Sequence, residues 1–161
     1  MNVVDHPTRA QPLRINQTRE ADAGSPFREE HFRQVVRSSP ALMWFSDERG
    51  HASFVNDQWT LYTGLGPEGL LDDRWQRAIH PDDQAKGLTC FDSSIVHDRP
   101  SEVEIRFRRQ DGEYRWHLTR AVPLQDADGS IRGYFGTAAD IHDSKTLRER
   151  LRWTNERLLM V

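Results

Sequence analysis

The chain has 161 residues, a formal net charge of −3 and a hydrophobic share of 36%. This length allows one domain of ordinary size plus appendages, and a charge so near neutral argues against binding to nucleic acid or to an acidic membrane surface. Cys90 is the single cysteine, which excludes an internal disulfide and a cysteine-based zinc site. No apolar run is long enough for a transmembrane helix or a signal peptide, so we expect a cytoplasmic protein.

The N-terminal part of the chain predicts a leader and a first helix. Residues 1–24 are polar and show no sustained periodicity, which is typical of a flexible segment. Ser25 and Pro26 suit the N-cap and the first position of a helix. Pro40 ends that helix, because the residue before a proline avoids the α region. We expect the domain itself to span residues 25–142.

The middle of the chain predicts one antiparallel sheet. Five runs of strand length are bounded by turn residues, and they cover residues 41–46, 51–55, 102–109, 113–124 and 130–141. Between the second and third runs lie short helical segments and a longer helix that begins at His80-Pro81-Asp82-Asp83. Two strands, several helices and three strands in this order indicate an α+β fold whose helices cover one face of the sheet.

The strongest local signal is a β-hairpin centred on Asp111-Gly112. Period-two alternation on both sides of this pair favours a two-residue turn. In that register Phe107 faces Trp116. Ile105 then faces Leu118 on the same face, which we expect to be buried. The charged positions of the hairpin are expected to face solvent, and these are Arg106, Arg108, Arg115 and His117.

Residues 143–161 predict a helix with the seam of a coiled coil. The segment has no glycine or proline, and its apolar positions recur at spacings of four and three. The predicted seam consists of Leu147, Leu151, Thr154, Leu158 and Val161. A helix this short needs a partner surface, so we expect a homodimer through it, to which the N-terminal helix can add. We expect the coiled coil to continue into a longer protein, or else to join two copies of a short one.

The chain resembles a PAS domain with its C-terminal PAC half, in the subgroup that carries a W…HPDD element. The resemblance covers about residues 27–143 and rests on the order and spacing of the matching pieces, which are Ser38-Ser39-Pro40, Asn56, Trp75, His80-Pro81-Asp82-Asp83 and residues 104–116, 123–129 and 133–143. It implies a five-stranded antiparallel sheet whose concave face holds the helices and sometimes a small ligand. It also implies a non-catalytic sensory or dimerisation module of a bacterial signalling protein. Such a module passes its signal through an exit helix to a C-terminal effector, such as a histidine kinase or a diguanylate cyclase.

The end of the last predicted strand is where PAS domains join the sheet to the exit helix, often with the sequence D-I-T. Here the sequence reads Asp140-Ile141-His142, so the threonine is missing. Asp140 can still cap the following helix, with Asp143 near its positive end. We predict that Asp140, Ile141 and His142 form a signal relay that sets the angle between sheet and exit helix. The alternative is that Asp140 is an ordinary N-cap.

A large set of aromatic residues could line a ligand pocket. A small-molecule ligand would then lie among uncharged side chains, whereas the alternative is that the rings simply fill a densely packed core. The candidate pocket residues are Phe45, Trp59, Tyr62, Trp75, Phe107, Trp116 and Phe135, with Trp44 beside them.

The sequence offers little support for a metal or a bound cofactor. Light-sensing PAS relatives bond a flavin to a cysteine in an N-C-R-F-L-Q context, which the surroundings of Cys90 do not match. The position of His97 corresponds poorly to the axial ligand of haem-binding relatives. His80-Pro81-Asp82-Asp83 suits the start of a helix better than a metal site. His142 lacks the proline and second helix that follow the phosphate-accepting histidine of kinases. We therefore expect no metal, haem or flavin.

Two alternative functions stay open at this stage. The first is a sensor loaded with haem or flavin. The second is a small enzyme with a pocket on a curved antiparallel sheet, which needs an acid or a base on the inner face. Among the predicted inner positions, only Tyr114 offers such a group, since the others are Val103, Ile105, Phe107, Trp116 and Leu118.

Overall fold

The computed structural model describes residues 26–159, which form a five-stranded antiparallel sheet with flanking helices. The helices are α1 (Pro26–Ser38), α2 (Asp57–Thr63), α3 (Pro81–His97) and α4 (His142–Leu159), and two 3₁₀ helices cover Pro67–Gly69 and Arg74–Ala78. The strands are β1 (Leu42–Ser46), β2 (Ala52–Val55), β3 (Ser101–Arg108), β4 (Tyr114–Gln125) and β5 (Ile131–Asp140). Their order in the sheet is β2-β1-β5-β4-β3, which confirms the predicted α+β fold. The predicted leader, residues 1–24, and Val161 of the predicted seam lie outside the described residues.

The first helix is tied to the sheet by a buried amide. Asn56, at the start of α2, accepts the backbone N–H of Met43 at 3.1 Å. Its Nδ2 donates to the carbonyl oxygens of Val36, at 3.1 Å, and Ala41, at 2.9 Å. One side chain therefore joins α1, β1 and α2, which accounts for an asparagine at this buried position.

The loop of the β3–β4 hairpin has three residues, where the sequence predicts two. The N–H of Arg109 donates to the carbonyl of Glu113 at 2.8 Å, and the N–H of Gly112 donates to the carbonyl of Arg109 at 2.9 Å. Gly112 has a φ of +88°. This is the arrangement of a turn followed by a left-handed glycine, which shifts the register by one residue relative to a two-residue turn.

The shift places every side chain of β4 on the face opposite to the predicted one. Phe107 pairs with Arg115. Ile105 pairs with His117, so both predicted pairings across the hairpin are wrong, as is the prediction that Arg115 and His117 face solvent. The residues that share the inner face with Phe107 are Arg115, His117, Thr119 and Ala121. The residues that share the outer face with Arg106 are Tyr114, Trp116 and Leu118.

The core lies between the inner face of the sheet and the helices packed on it. Its buried apolar residues are Leu42, Trp59, Leu70, Ala78, Ile79, Ile105, Phe107 and Ala138. Gly136 of β5 lies against the indole of Trp44, where an added Cβ would come within 1.9 Å of the ring. Glycine at this position lets the Trp44 ring approach the strand, and the ring then forms part of the wall described below.

Candidate functional site

A small apolar cavity lies between the inner face of the sheet and α3. Its volume is about 50 Å³, well below the roughly 300–1,000 Å³ of pockets that hold drug-sized ligands. Residues that form its wall include Trp44, Trp59, Trp75, Phe91, Phe107 and Thr119. The cavity can hold a few atoms, and a larger occupant would have to move the wall.

Three of the predicted pocket residues line this cavity, namely Trp59, Trp75 and Phe107. Tyr62 lies behind the wall, with its ring 5.0 Å from that of His117. Cys90 also lines the cavity, and its thiol donates to the carbonyl of Glu102 at 3.5 Å.

The other three predicted pocket residues lie on the outer face of the sheet, which corrects the prediction. Side chains alternate along a strand, so Phe45 faces outward because Trp44 faces the core. The Phe45 ring lies 5.8 Å from Phe54 and 5.0 Å from Phe135. Trp116 faces outward because of the register shift in the hairpin.

His117 is a polar residue of the inner face that the sequence did not indicate. It is fully buried, and its Nδ1 lies 2.8 Å from the carbonyl oxygen of Arg115. Because a carbonyl only accepts hydrogen bonds, Nδ1 carries a proton. Burial lowers the pKa of His117, so the ring is neutral near pH 7 and Nε2 is an acceptor. Nε2 has no hydrogen-bond partner among the described residues, and neither does Oγ1 of Thr119 in the cavity wall.

Asp140 joins the sheet to α4 and to α2. Its Oδ1 accepts the N–H of His142 at 2.9 Å, which is the predicted cap of the exit helix. Its Oδ2 accepts the hydroxyl of Tyr62 at 3.2 Å and Nε of Arg115 at 2.7 Å. Arg115 also donates to Asp143 at 3.0 Å. Burial alone would raise the pKa of Asp140, but the bonds from Arg115 and His142 outweigh it and the pKa is lowered. The pKa of Tyr62 shifts in the opposite direction, because burial and the negative charge of Asp140 both raise it.

The other two predicted relay residues bond to β4. The N–H of Ile141 donates to the carbonyl of Trp116 at 2.9 Å. The N–H of Trp116 donates to Nδ1 of His142 at 3.3 Å. These two bonds continue the pairing of β4 beyond the end of β5. They therefore fix the start of α4 relative to the sheet.

Helix α4 leaves the domain after its first turn. The four described residues of the predicted seam, Leu147, Leu151, Thr154 and Leu158, are all exposed, and the exposed fractions of the three leucines are 58%, 57% and 70%. Every residue from 147 to 159 is exposed. The apolar stripe of α4 is therefore not covered by the described part of this chain.

Residues 52–138 match the family described as the PAS fold. The chain belongs to the PAS fold family. The PAS chain is 30% identical over 145 residues to the uncharacterised protein y4lL of Sinorhizobium fredii, covering 90% of this chain and 17% of that protein. It is 32% identical over 136 residues to the peroxide stress-activated histidine kinase mak1 of Schizosaccharomyces pombe, covering 79% of this chain and 8% of that protein. The PAS chain thus spans less than a fifth of the length of either relative.

Solved structures give the same assignment. A sensory box histidine kinase/response regulator from Burkholderia thailandensis superposes with a TM-score of 0.61 at 26% identity, covering 81% of this PAS chain and 99% of that chain. An RNA-binding light-oxygen-voltage receptor superposes with a TM-score of 0.72, covering 91% of this chain and 42% of that chain, and at 15% identity it shows the fold alone. Together with mak1, the Burkholderia structure places this PAS domain among the sensory modules of signalling proteins.

Residues 26–159 of the PAS chain contain neither a metal-binding cluster nor a membrane-spanning helix. In that range, no group of three or more histidine, cysteine or acidic side chains is arranged to hold a metal ion. The helices of the same range include none with the length and apolar character needed to cross a membrane.

Proposed function

We propose that this PAS domain is the non-catalytic input module of a longer signalling protein and acts on an effector through α4. The observation that carries the proposal is that α4 is fixed to the sheet by its first turn, while residues 147–159 are exposed. A histidine kinase or a diguanylate cyclase is the proposed effector, because relatives are histidine kinases and one solved neighbour is the N-terminal domain of a diguanylate cyclase with a PAS/PAC sensor. We place the module in the cytoplasm, where its single cysteine would stay reduced.

The proposed partner of α4 is the same helix of a second copy. Leu147, Leu151 and Leu158 follow the heptad spacing of a two-stranded seam, and burying them removes apolar surface from water. Helix α1 adds two exposed apolar side chains, Phe32 and Val35, which can extend the interface.

The proposed signal is the occupancy of the apolar cavity. A cavity of about 50 Å³ suits a very small apolar molecule, whereas haem or flavin would require its wall to rebuild. We therefore propose that the domain holds neither cofactor. An absorbance spectrum of the freshly purified protein tests this, since a visible band would show a bound haem or flavin.

A fusion experiment tests the output. The whole chain is joined after Val161 to the catalytic core of a histidine kinase, through linkers lengthened one residue at a time over two heptads. If α4 acts as a coiled coil, the autophosphorylation rate will rise and fall with a period of about seven residues.

The matched control carries the charged substitution Leu151→Asp within the same linker series. This variant should lose the periodic dependence, because the seam can no longer pair. A rate that does not depend on linker length in the unsubstituted series would contradict the proposed function.

A further inference from the structure

We propose that a row of aromatic rings carries the state of the cavity to the exit helix, with His117 as the positioning residue at its centre. The inference deepens the proposed function and rests on it, since it assigns the route by which the core acts on α4. The row runs from Trp44 through Trp59, Phe107 and His117 to Tyr62.

Each ring of the row contacts the next edge to face. Trp59 lies 6.3 Å from Trp44 and 5.1 Å from Phe107, measured between ring centres. His117 lies 5.3 Å from Phe107 and 5.0 Å from Tyr62. The interplanar angles fall between 71° and 88°. Edge-to-face pairs have a preferred geometry, and densely packed rings cannot absorb the displacement of a neighbour. A movement of Trp59 or Phe107 in the cavity wall therefore shifts the imidazole.

The row ends at the group that begins the exit helix. The hydroxyl of Tyr62 donates to Oδ2 of Asp140 at 3.2 Å, and Oδ1 of the same carboxylate accepts the N–H of His142 at 2.9 Å. Since His142 is the first residue of α4, a displacement of Tyr62 acts directly on the cap of the helix.

His117 reaches the same carboxylate by a second route. Its Nδ1 donates to the carbonyl of Arg115 at 2.8 Å, and the Nε of Arg115 binds Asp140 at 2.7 Å. The guanidinium also binds Asp143 in the first turn of α4 at 3.0 Å. The imidazole thus contacts the Tyr62 ring and the backbone of Arg115, and the side chains of both residues bind Asp140.

Stability alone does not account for a histidine at this position. A buried polar atom without a partner costs free energy, and an apolar side chain of similar size would avoid that cost. Nε2 of His117 has no partner among residues 26–159. Its position between the rings of Phe107 and Tyr62 therefore suits a role in the row better than a role in stability.

Xenon under pressure is the probe for the test, because small apolar cavities bind it. The measurement is the change in NMR chemical shift that xenon causes in two groups of signals of the full chain. The methyl groups of Thr119 and Ala121 report that the cavity is occupied, and the backbone amides of residues 141–145 report the exit helix. The substitution Tyr62→Phe removes the final hydrogen bond of the row and keeps its ring. The matched control is Tyr134→Phe, which removes a buried hydroxyl that bonds the end of α3 at Ile95 and Asp98 instead.

We expect xenon to shift both groups of signals in the unsubstituted chain and in Tyr134→Phe. In Tyr62→Phe the methyl shifts should persist and the amide shifts should fall several-fold, because only the link through the backbone of Arg115 remains. Undiminished amide shifts in Tyr62→Phe would overturn the aromatic route while leaving the proposed function intact. If the amides respond neither to xenon nor to the cavity-filling substitution Ala121→Val, the aromatic route and the proposed function are both overturned. A purely structural role of Tyr62 would lower stability without uncoupling the two groups of signals.

Discussion

The ammonium group of Lys145 lies 4.7 Å from the centre of the Trp116 ring, and this contact holds the first turn of α4 against the outer face of the sheet. Arg106 lies 4.8 Å from the same ring, and Glu104 forms an ion pair with Lys145. The contact exists because β4 is shifted by one residue, which turns Trp116 away from the core. The residue predicted to line the pocket thus anchors the exit helix.

The substitution Lys145→Gln should loosen the start of α4. Losing a cation–π contact and a partly buried ion pair costs about 1 kcal/mol, so we expect the amides of residues 145–147 to exchange with deuterium about fivefold faster if the loss is local. The control is Lys86→Gln, because its ammonium lies 6.0 Å from the same ring but belongs to α3. Equal effects of the two substitutions on these amides would show that Lys145 does not anchor the helix.

The ion pair of Asp83 and Arg106 joins α3 to β3. We expect it to be the main reason why the contact between these two elements weakens in acid. Oδ2 of Asp83 accepts the backbone N–H of Arg106 at 2.9 Å and its Nε at 2.8 Å, and Oδ1 accepts Nη2 at 2.8 Å. The hydrogen bond from the Arg106 side chain is the main cause of the lowered pKa of Asp83. Because the pKa is lower in the folded state, the stabilisation is complete above the unfolded value of about 4 and is lost as the pH falls through the folded value.

We expect Asp83→Asn to lower the free energy of unfolding by about 2 kcal/mol near neutral pH, and by much less in strong acid. Urea denaturation at the two pH values measures the difference. Asp82→Asn is the matched control, because the side chain of Asp82 is 78% exposed whereas that of Asp83 is 8% exposed. Equal destabilisation by the two substitutions would mean that the charge of the first helical turn matters and the Arg106 contact does not.

The order of elements was predictable from the sequence, but the register of the central hairpin was not. Asp111-Gly112 fits a two-residue turn and also the last two positions of a three-residue loop. Apolarity favours the wrong choice, because Tyr114, Trp116 and Leu118 look more suited to a core than Arg115, His117 and Thr119 do. The structure resolves the conflict by covering the outer aromatic ring with cationic side chains.

The site was predictable only where its residues are close together in the sequence. Asp140 as the cap of α4 follows from the local sequence. Its other partners, Arg115 and Tyr62, lie 25 and 78 residues away, so no local pattern could join them. The continuous apolar run at residues 41–46 likewise has no period-two alternation, so it does not indicate which side chains face the core. The sequence therefore could not show that Phe45 lies on the outer face.

Stability should fall on mild acidification because of His117. Burial lowers its pKa in the folded state, so the unfolded chain binds a proton more readily. The stabilisation is therefore complete above the unfolded value of about 6.5 and declines as the pH falls from there towards the folded value. The charged or titratable groups that face the ring are Asp140, Arg115, His142 and Tyr62.

The substitution His117→Gln should flatten this decline between about pH 7 and pH 5. The measurement is the free energy of unfolding by urea at several pH values across that window. His97→Gln, at an exposed position near the end of α3, controls for the loss of a histidine. An unchanged slope in His117→Gln would mean that the decline comes from other groups.

The proposed output requires two copies to pair through α4, and sedimentation equilibrium measures this pairing directly. The full chain, the seam substitution Leu151→Asp and the control Asn155→Asp are compared over a range of concentrations, with deletion of residues 145–161 as the limiting case. We predict a dimer for the full chain and for Asn155→Asp, and a monomer for Leu151→Asp and the deletion. A deletion variant as dimeric as the full chain, or a full chain that stays monomeric at every concentration, would contradict the account.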